Sequence, residues 1–365
     1  MTETIDPTSE EIEGLGGDED ASWGDYPIDT LLIRHEQRTV HDVVRRIGKG
    51  SFVMDPDFQR AFIWDIEKQS KLIESVLMRI PLPVFYLAED SEGRMIVVDG
   101  LQRLSTFARF LKNELKLKLP NQTELNNKKF ENLSPKLQNR IEDCNLVLYI
   151  VDAKVPERAR LDIFERVNSG VPLTRQQMRN SLYMGPATLF LKNEASTPLF
   201  RKATGYSLPA ATMRDREFVN RFCAFHLLDL NDYSNKDEMD GFLAKALTHM
   251  NQLSQQQLAE LAADLHGSLE NNLAVFGEHA FRKHRPRQDR RGVLNASLWD
   301  VMSTGLTGVP RELVLKRRTN LRSEFYRLMQ DESFIRSITY GVNSANQVRY
   351  RFMVMRETLA RVFNA

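Results

Sequence analysis

The chain has 365 residues, 42% hydrophobic and 27% charged, which is enough length and apolar content for two domains with real cores. No run of about 18 uncharged apolar residues occurs and the first residues lack a basic start followed by an apolar stretch, so neither a membrane span nor export is expected, and a cytoplasmic protein is. The only cysteines, Cys144 and Cys223, lie far apart in apolar surroundings; this argues against a disulfide framework or a paired-cysteine zinc site and predicts two buried thiols.

The net charge of +1 hides an asymmetry. Residues 1–29 carry ten acids and no Lys or Arg, so the rest of the chain is basic. A segment as acidic and Gly-containing as Glu10 to Ala21 cannot bury enough apolar surface to offset ordering, so 1–25 reads as an acidic disordered tail. Such a tail either solvates the chain or folds over a basic groove and competes there with an anionic ligand.

In chain order, Tyr26 to Ile33 has strand-like residues, and Val40, Val43, Val44 and Ile47 recur at helical spacing. Asp65 is a plausible N-cap for a helix carrying the stripe Ile66, Leu72, Ile73, Val76 and Leu77, with Pro81-Leu82-Pro83 as its stop. Val84 to Leu87 and Met95 to Val98 read as a hairpin around Asp90-Ser91-Glu92-Gly93. Leu101, Leu104, Phe107, Ala108 and Leu111 then set a helical period, which puts Asp99-Gly100 at a strand-to-helix junction. Leu115 to Leu119 and Asn145 to Val151 read as further strands, with a short helix near 135–141 between them. From Arg158 onward the pattern is helical, including single helices over 214–230, 255–275 and 310–329. The chain therefore divides into an α+β part over 26–157 and a helical part over 158–365.

Three stretches could carry chemistry. In Val97 to Thr106 a buried strand delivers Asp99 and Gly100 to a helix start, where free N–H groups and the positive dipole end suit an anion such as phosphate. Gln102 and Arg103 add donors there, and Asp99 could position a metal ion, a water or a ribose hydroxyl. The alternative is that Asp99 caps the helix and Arg103 pairs with a nearby acid. Gln59 and Arg60 repeat the Gln-Arg pair beside the rings of Phe62 and Trp64, and two such pairs can clamp a phosphate or carboxylate. Arg166, Asn168 and Ser169 close a helix in an Asn-Ser-Gly turn; Thr174 to Gln177 has the spacing of a capping box. Capping explains Asn168, Gly170 and Thr174; closure of the turn over the same ligand is the other reading.

Taken in order, Asp-Phe-Gln-Arg-Ala-Phe-Ile-Trp, Pro-Leu-Pro-Val, Val-Val-Asp-Gly-Leu-Gln-Arg-Leu-Ser-Thr and Phe-Glu-Arg-Val-Asn-Ser-Gly-Val-Pro-Leu resemble the GmrSD restriction endonuclease N-terminal domain family over roughly residues 30 to 185. The resemblance implies a ParB/sulfiredoxin-like α+β domain with a small mixed sheet, followed here by an all-helical C-terminal domain. It also implies nucleotide binding and NTP hydrolysis supported by an Asp-Gly-Gln-Gln-Arg motif, in a system that restricts foreign DNA. The motif falls on Asp99, Gly100, Leu101, Gln102 and Arg103, with Leu101 in place of the first Gln. The catalytic candidates are Asp99, Gln102 and Arg103; the nucleotide-binding candidates are Gln59, Arg60, Gly100, Ser105, Thr106, Arg166, Asn168 and Ser169. Mg2+ is implied if the ligand is a nucleoside triphosphate.

The seven histidines form no paired metal-ligand motif of the His-Asn-His nuclease kind, so cleavage by this chain alone is not expected, and a separate nuclease or methyltransferase is the implied partner. Redox repair, the sulfiredoxin chemistry, is rejected because both cysteines lie far from Asp99 in sequence. Arg282, Lys283, Arg285, Arg287, Arg290 and Arg291 form a basic patch suited to a DNA backbone, or else a solvated loop. The leading expectation is a nucleotide-binding regulator or sensor in DNA restriction. The alternative is a DNA-binding or adaptor protein whose ParB-like pocket is only structural.

Overall fold

The computed structural model describes residues 12–15, 33–54, 64–90, 92–155, 157–167, 174–233 and 238–364. Contacts divide the chain into two units, residues 25–182 and residues 183–365 with 1–24. The expected boundary at 157/158 thus falls inside the first unit, because the two helices after it pack with the sheet.

The first unit is α+β. Its strands are β1 (Ile33–Thr39), β2 (Phe52–Val53), β3 (Phe85–Glu89), β4 (Met95–Asp99) and β5 (Asn145–Val151), in the order β1-β5-β3-β4-β2. β1 with β5 and β3 with β4 are antiparallel; β3 with β5 and β2 with β4 are parallel, so the sheet is mixed. Alternation along β5 buries Leu146, Leu148 and Ile150 on one face, as a strand's two-residue period requires. The opposite face carries Tyr149, whose ring stacks on Tyr86 of β3 at 5.6 Å.

Helices α1 (Val40–Gly48), α2 (Ile66–Leu77), α3 (Leu101–Leu111) and α4 (Pro135–Glu142) cover the core with Val40, Val43, Ile73, Leu104, Phe107 and Phe110. Asp65 caps α2 as expected, accepting from the Lys68 N–H at 2.7 Å. Helices α5 (Glu157–Val167) and α6 (Arg175–Leu182) complete the unit. Two expectations change. The first described strand is Ile33–Thr39, whereas 26–32 lie outside the described residues. Leu115 to Leu119 joins no sheet: its alternate leucines are buried, yet its N–H groups go to other partners, from Leu117 to the Lys128 carbonyl at 3.0 Å and from Lys118 to Ser70 Oγ at 2.8 Å.

The second unit is helical, from α7 (Pro186–Ser196) and α8 (Pro198–Ala203) through α9 (Arg214–Leu227), α10 (Glu238–Met250), α11 (Gln255–Phe276) and α12 (Ala296–Gly305). The single helix expected over 310–329 is broken into α13 (Arg311–Lys316) and α14 (Arg318–Leu328), and α15 (Glu332–Ser337) and α16 (Ala345–Asn364) follow. Trp299 is fully buried among Phe200, Phe218 and Phe281, and its indole N–H donates to the Phe218 carbonyl at 2.8 Å. Asp300, on the same helix, receives Arg221 through two bonds of 2.7 Å and Arg351 at 2.9 Å, all three side chains fully buried. Two buried cations thus share one carboxylate, a net positive cluster held by these bonds and by the bond from Arg351 to the Val342 carbonyl. Of the expected disordered tail, residues 12–15 are described, and they are docked on this unit: Ile12 and Leu15 pack against its core.

Candidate functional site

The strand-to-helix junction forms where the sequence places it. β4 ends at Asp99, and Gly100 follows with φ +101°, a left-handed backbone that favours glycine. A Cβ at Gly100 would stand 2.2 Å from Cδ1 of Phe85, so the glycine is required by the close approach of the β4–α3 turn to β3. No side chain caps α3, and the first helical bond runs from the Leu104 N–H to the Gly100 carbonyl at 2.9 Å. The junction therefore keeps the character of an open helix start.

Arg103 lies one turn into α3 and is 8% exposed. Its Nη2 donates to Asp99 Oδ2 at 2.8 Å and to the Val84 carbonyl at 3.1 Å, and its Nη1 donates to the Pro83 carbonyl. The guanidinium sits 4.3 Å over the Phe85 ring. Burial lowers its pKa and the Asp99 carboxylate opposes that shift. Of the two alternatives read from the sequence, pairing of Arg103 with a nearby acid is the one found, with Asp99 as the acid. Capping of the helix by Asp99 is not found. The Asp99 side chain stays 35% exposed, whereas that of Arg103 is 10% exposed, so the carboxylate is the member of the pair open to a ligand.

Gln102 does not point its carbonyl at solvent: Oε1 accepts from the Trp64 N–H at 3.1 Å. The Trp64 carbonyl in turn accepts from Gln69 Nε2 at 2.6 Å, and Arg109 donates to Gln69 Oε1 at 2.8 Å. Two glutamines, one from α2 and one from α3, thus fix the end of the stretch that carries Gln59 and Arg60. Gln59 and Arg60 themselves lie outside the described residues, as do Asn168 and Ser169. Sequence reasoning missed Gln69 and Arg109, since a buried Gln on a helix face carries no local signal.

Thr106 is 1% exposed and its hydroxyl donates to the Gln102 carbonyl at 2.7 Å, so its expected ligand contact is replaced by a bond within the helix. Ser105 Oγ is buried with no hydrogen-bond partner among the described residues. Arg166 is exposed near the end of α5. The Thr174 to Gln177 capping box forms as read, with bonds of 2.8 Å and 3.2 Å. Cys144 is half-buried and Cys223 buried, and burial raises both thiol pKa values, which opposes thiolate chemistry.

In the helical unit the basic segment divides. Arg282 is fully buried, donating to the carbonyls of Gly292 at 2.9 Å, Ala280 at 3.0 Å and Thr204 at 2.7 Å and to Ser207 Oγ at 3.0 Å. Its expected phosphate contact is corrected: the guanidinium is occupied in folding the segment. Arg291 donates to the Gly205 carbonyl at 3.0 Å, and Lys283 binds Glu13 and Thr339. Arg285, Arg287 and Arg290 are exposed and are the members left facing solvent.

The first unit is thus an α+β domain organised around a strand–Asp-Gly–helix junction that ties three loops together. Residues 40–184 match the family model of the GmrSD restriction endonuclease, N-terminal domain. No curated protein and no solved structure matches the chain. Among the described residues, no helix is long and apolar enough to cross a membrane.

Proposed function

We propose that this chain is a nucleotide-responsive regulator in DNA restriction, binding a nucleoside triphosphate at the start of α3 and DNA through the helical unit. The family of residues 40–184 supplies the restriction context. The observation that carries the nucleotide reading is the partly exposed Asp99 carboxylate, held by Arg103 beside the uncapped start of α3. Helix N–H groups attract phosphate, but the solvent-facing side of a carboxylate there repels it, so the ligand this pairing suits is a phosphate that arrives with a cation. Among the described residues no group of three or more His, Cys, Asp or Glu could hold a metal ion. One carboxylate fits a Mg2+ ion carried mainly by the phosphates, which would supply charge neutralisation.

In this reading Asp99 faces the ligand, and Arg103 and Gln102 act as positioning residues that hold Asp99, the 83–84 carbonyls and Trp64 in register. Gln59, Arg60, Arg166, Asn168 and Ser169 remain proposed contacts of that ligand. A turnover role rests on Asp99, because Leu101 brings no amide to orient water. DNA cleavage is assigned to a separate nuclease or methyltransferase-linked partner.

A second reading, a DNA-binding adaptor with a purely structural pocket, is favoured by one observation: the polar atoms of Gln102 and Arg103 described above are already engaged inside the protein. Calorimetry and turnover assays with a panel of Mg2+–nucleoside triphosphates, with and without DNA, separate the two. Asp99→Asn should weaken nucleotide binding at least about tenfold while leaving the melting transition in place. If wild type binds no nucleotide but binds DNA in a salt-dependent manner, the adaptor reading replaces the first.

A further inference from the structure

Ile12 to Leu15 lies along residues 294–296 in the manner of an added strand. The Glu13 N–H donates to the Leu294 carbonyl at 2.8 Å, and the Ala296 N–H donates to the Glu13 carbonyl at 2.8 Å. The same ribbon pairs with the residues that open the basic segment: Arg282 bridges Leu294, and the Asn295 N–H donates to the Phe281 carbonyl at 3.0 Å. One ribbon therefore holds the acidic N-terminal segment and the root of the basic segment.

Side chains tighten the arrangement. Lys283 Nζ donates to the Glu13 carboxylate and, at 2.7 Å, to Thr339 Oγ1; the Asn343 amide donates to the Leu15 carbonyl at 3.1 Å. Gly14 has φ +76°, and a Cβ there would lie 3.1 Å from Asn295 Oδ1, so a side chain at that place strains the backbone and crowds the seat. The seat is displaceable: all four of its residues are only half-buried, and the ion pair is partly exposed.

The charges give the contact a direction. Lys283 is neutralised by Glu13, whereas Arg285, Arg287 and Arg290 are exposed and their guanidinium groups have no partner among the described residues. Glu13 belongs to the 29-residue stretch that holds ten acids and no Lys or Arg.

We propose that the N-terminal acidic segment is a built-in competitor for DNA on this basic surface. Docked, Glu13 occupies the cation nearest the root of the segment and its neighbours oppose incoming phosphate. DNA binding displaces it and recruits Lys283 beside Arg285, Arg287 and Arg290. This rests on the reading of the basic segment as a DNA surface.

The test is fluorescence anisotropy of a short labelled duplex with the full chain, over a range of salt, alongside hydrogen exchange at the Ala296 amide. Glu13→Gln and Gly14→Ala release the segment; both should bind DNA about 3- to 10-fold tighter than wild type, with a log–log salt slope steeper by about one contact. Ala296 should exchange faster in both variants, and in wild type when DNA is added. Unchanged DNA affinity with a deprotected Ala296 overturns the competition and leaves the DNA reading standing. An equal gain from Asp18→Asn/Glu19→Gln/Asp20→Asn with Ala296 still protected also overturns it, because general charge then suffices. If wild type, the released variants and Arg285→Gln/Arg287→Gln/Arg290→Gln all fail to bind, the DNA reading itself falls and the competition with it.

Discussion

Asp99 and Arg103 stand 2.8 Å apart across the first turn of α3, the carboxylate toward solvent and the guanidinium behind it against Phe85 and the Pro83 and Val84 carbonyls. One ion pair thereby joins the end of β4, the start of α3 and the loop before β3. Its buried half makes the pair part of the fold, and its open half offers the fold a charge to use.

Arg103→Ala should destabilise the first unit by roughly 2–4 kcal/mol, since two carbonyls and a carboxylate lose a shared donor in a mostly buried place. Arg103→Lys should recover only part of this, because one ammonium cannot reproduce the planar fork that reaches three acceptors. Hydrogen exchange across 101–111 reads the effect; protection as in wild type for the Ala variant would contradict it.

Gly100→Ala should cost about 3 kcal/mol or more, because the added methyl meets the Phe85 ring and the left-handed backbone is strained for alanine. Pairing it with Phe85→Ala should give a double variant less destabilised than the two single losses added together. Strict additivity in a denaturation cycle would place the cost in the backbone alone.

Asp42 yields an acid-dependence. Burial acts to raise its pKa, but hydrogen bonds from Arg45, Arg38 and Arg46 overcome this and hold the carboxylate well below its ordinary 3.8. A depressed folded pKa means that its stabilising contribution is fully present above the unfolded value and is lost as pH falls through 3.8 toward the folded value. Protection of the β1–α1 amides should therefore decline below pH 3.8, and Asp42→Asn should flatten that decline.

The two thiols should differ. Cys223 is fully buried and its pKa is raised by burial, so it should resist an aromatic disulfide reagent until the helical unit unfolds. Cys144, half-buried, should react slowly in the native protein and faster at alkaline pH, since burial also raises its pKa. Two thiols titrating together without denaturant would refute the burial of Cys223.

Local chemistry made much of the first unit legible in the sequence. The apolar stripe from Ile66 to Leu77 with its Asp65 cap, the strand running into Asp99-Gly100, the period of α3 and the Thr174 capping box all depend on residues within a few positions of one another. Propensity and periodicity act over that range, so the residues announce their own element. What lies between elements was not legible in the same way. Leu115 to Leu119 has a strand's alternation but pairs with a nearby turn, and the run over 310–329 breaks at Arg317, because a segment's partners decide what its pattern becomes.

The same division holds at the site. The sequence by itself determined that a carboxylate, a glycine and a Gln-Arg pair stand together where a strand becomes a helix. Only the tertiary structure decided that Gly100 answers to Phe85, that Gln102 holds Trp64 from 38 positions away, and that Arg103 turns inward to two carbonyls. It decided likewise that Arg282, read as one cation of a patch, is buried while Arg285, Arg287 and Arg290 remain outside. Gly100 answers to a steric contact that the fold brings to it, and for Gln102, Arg103 and Arg282 the reason is one: a polar side chain's role is set by which donors, acceptors and solvent the fold brings within hydrogen-bond reach, and those arrive from distant parts of the chain.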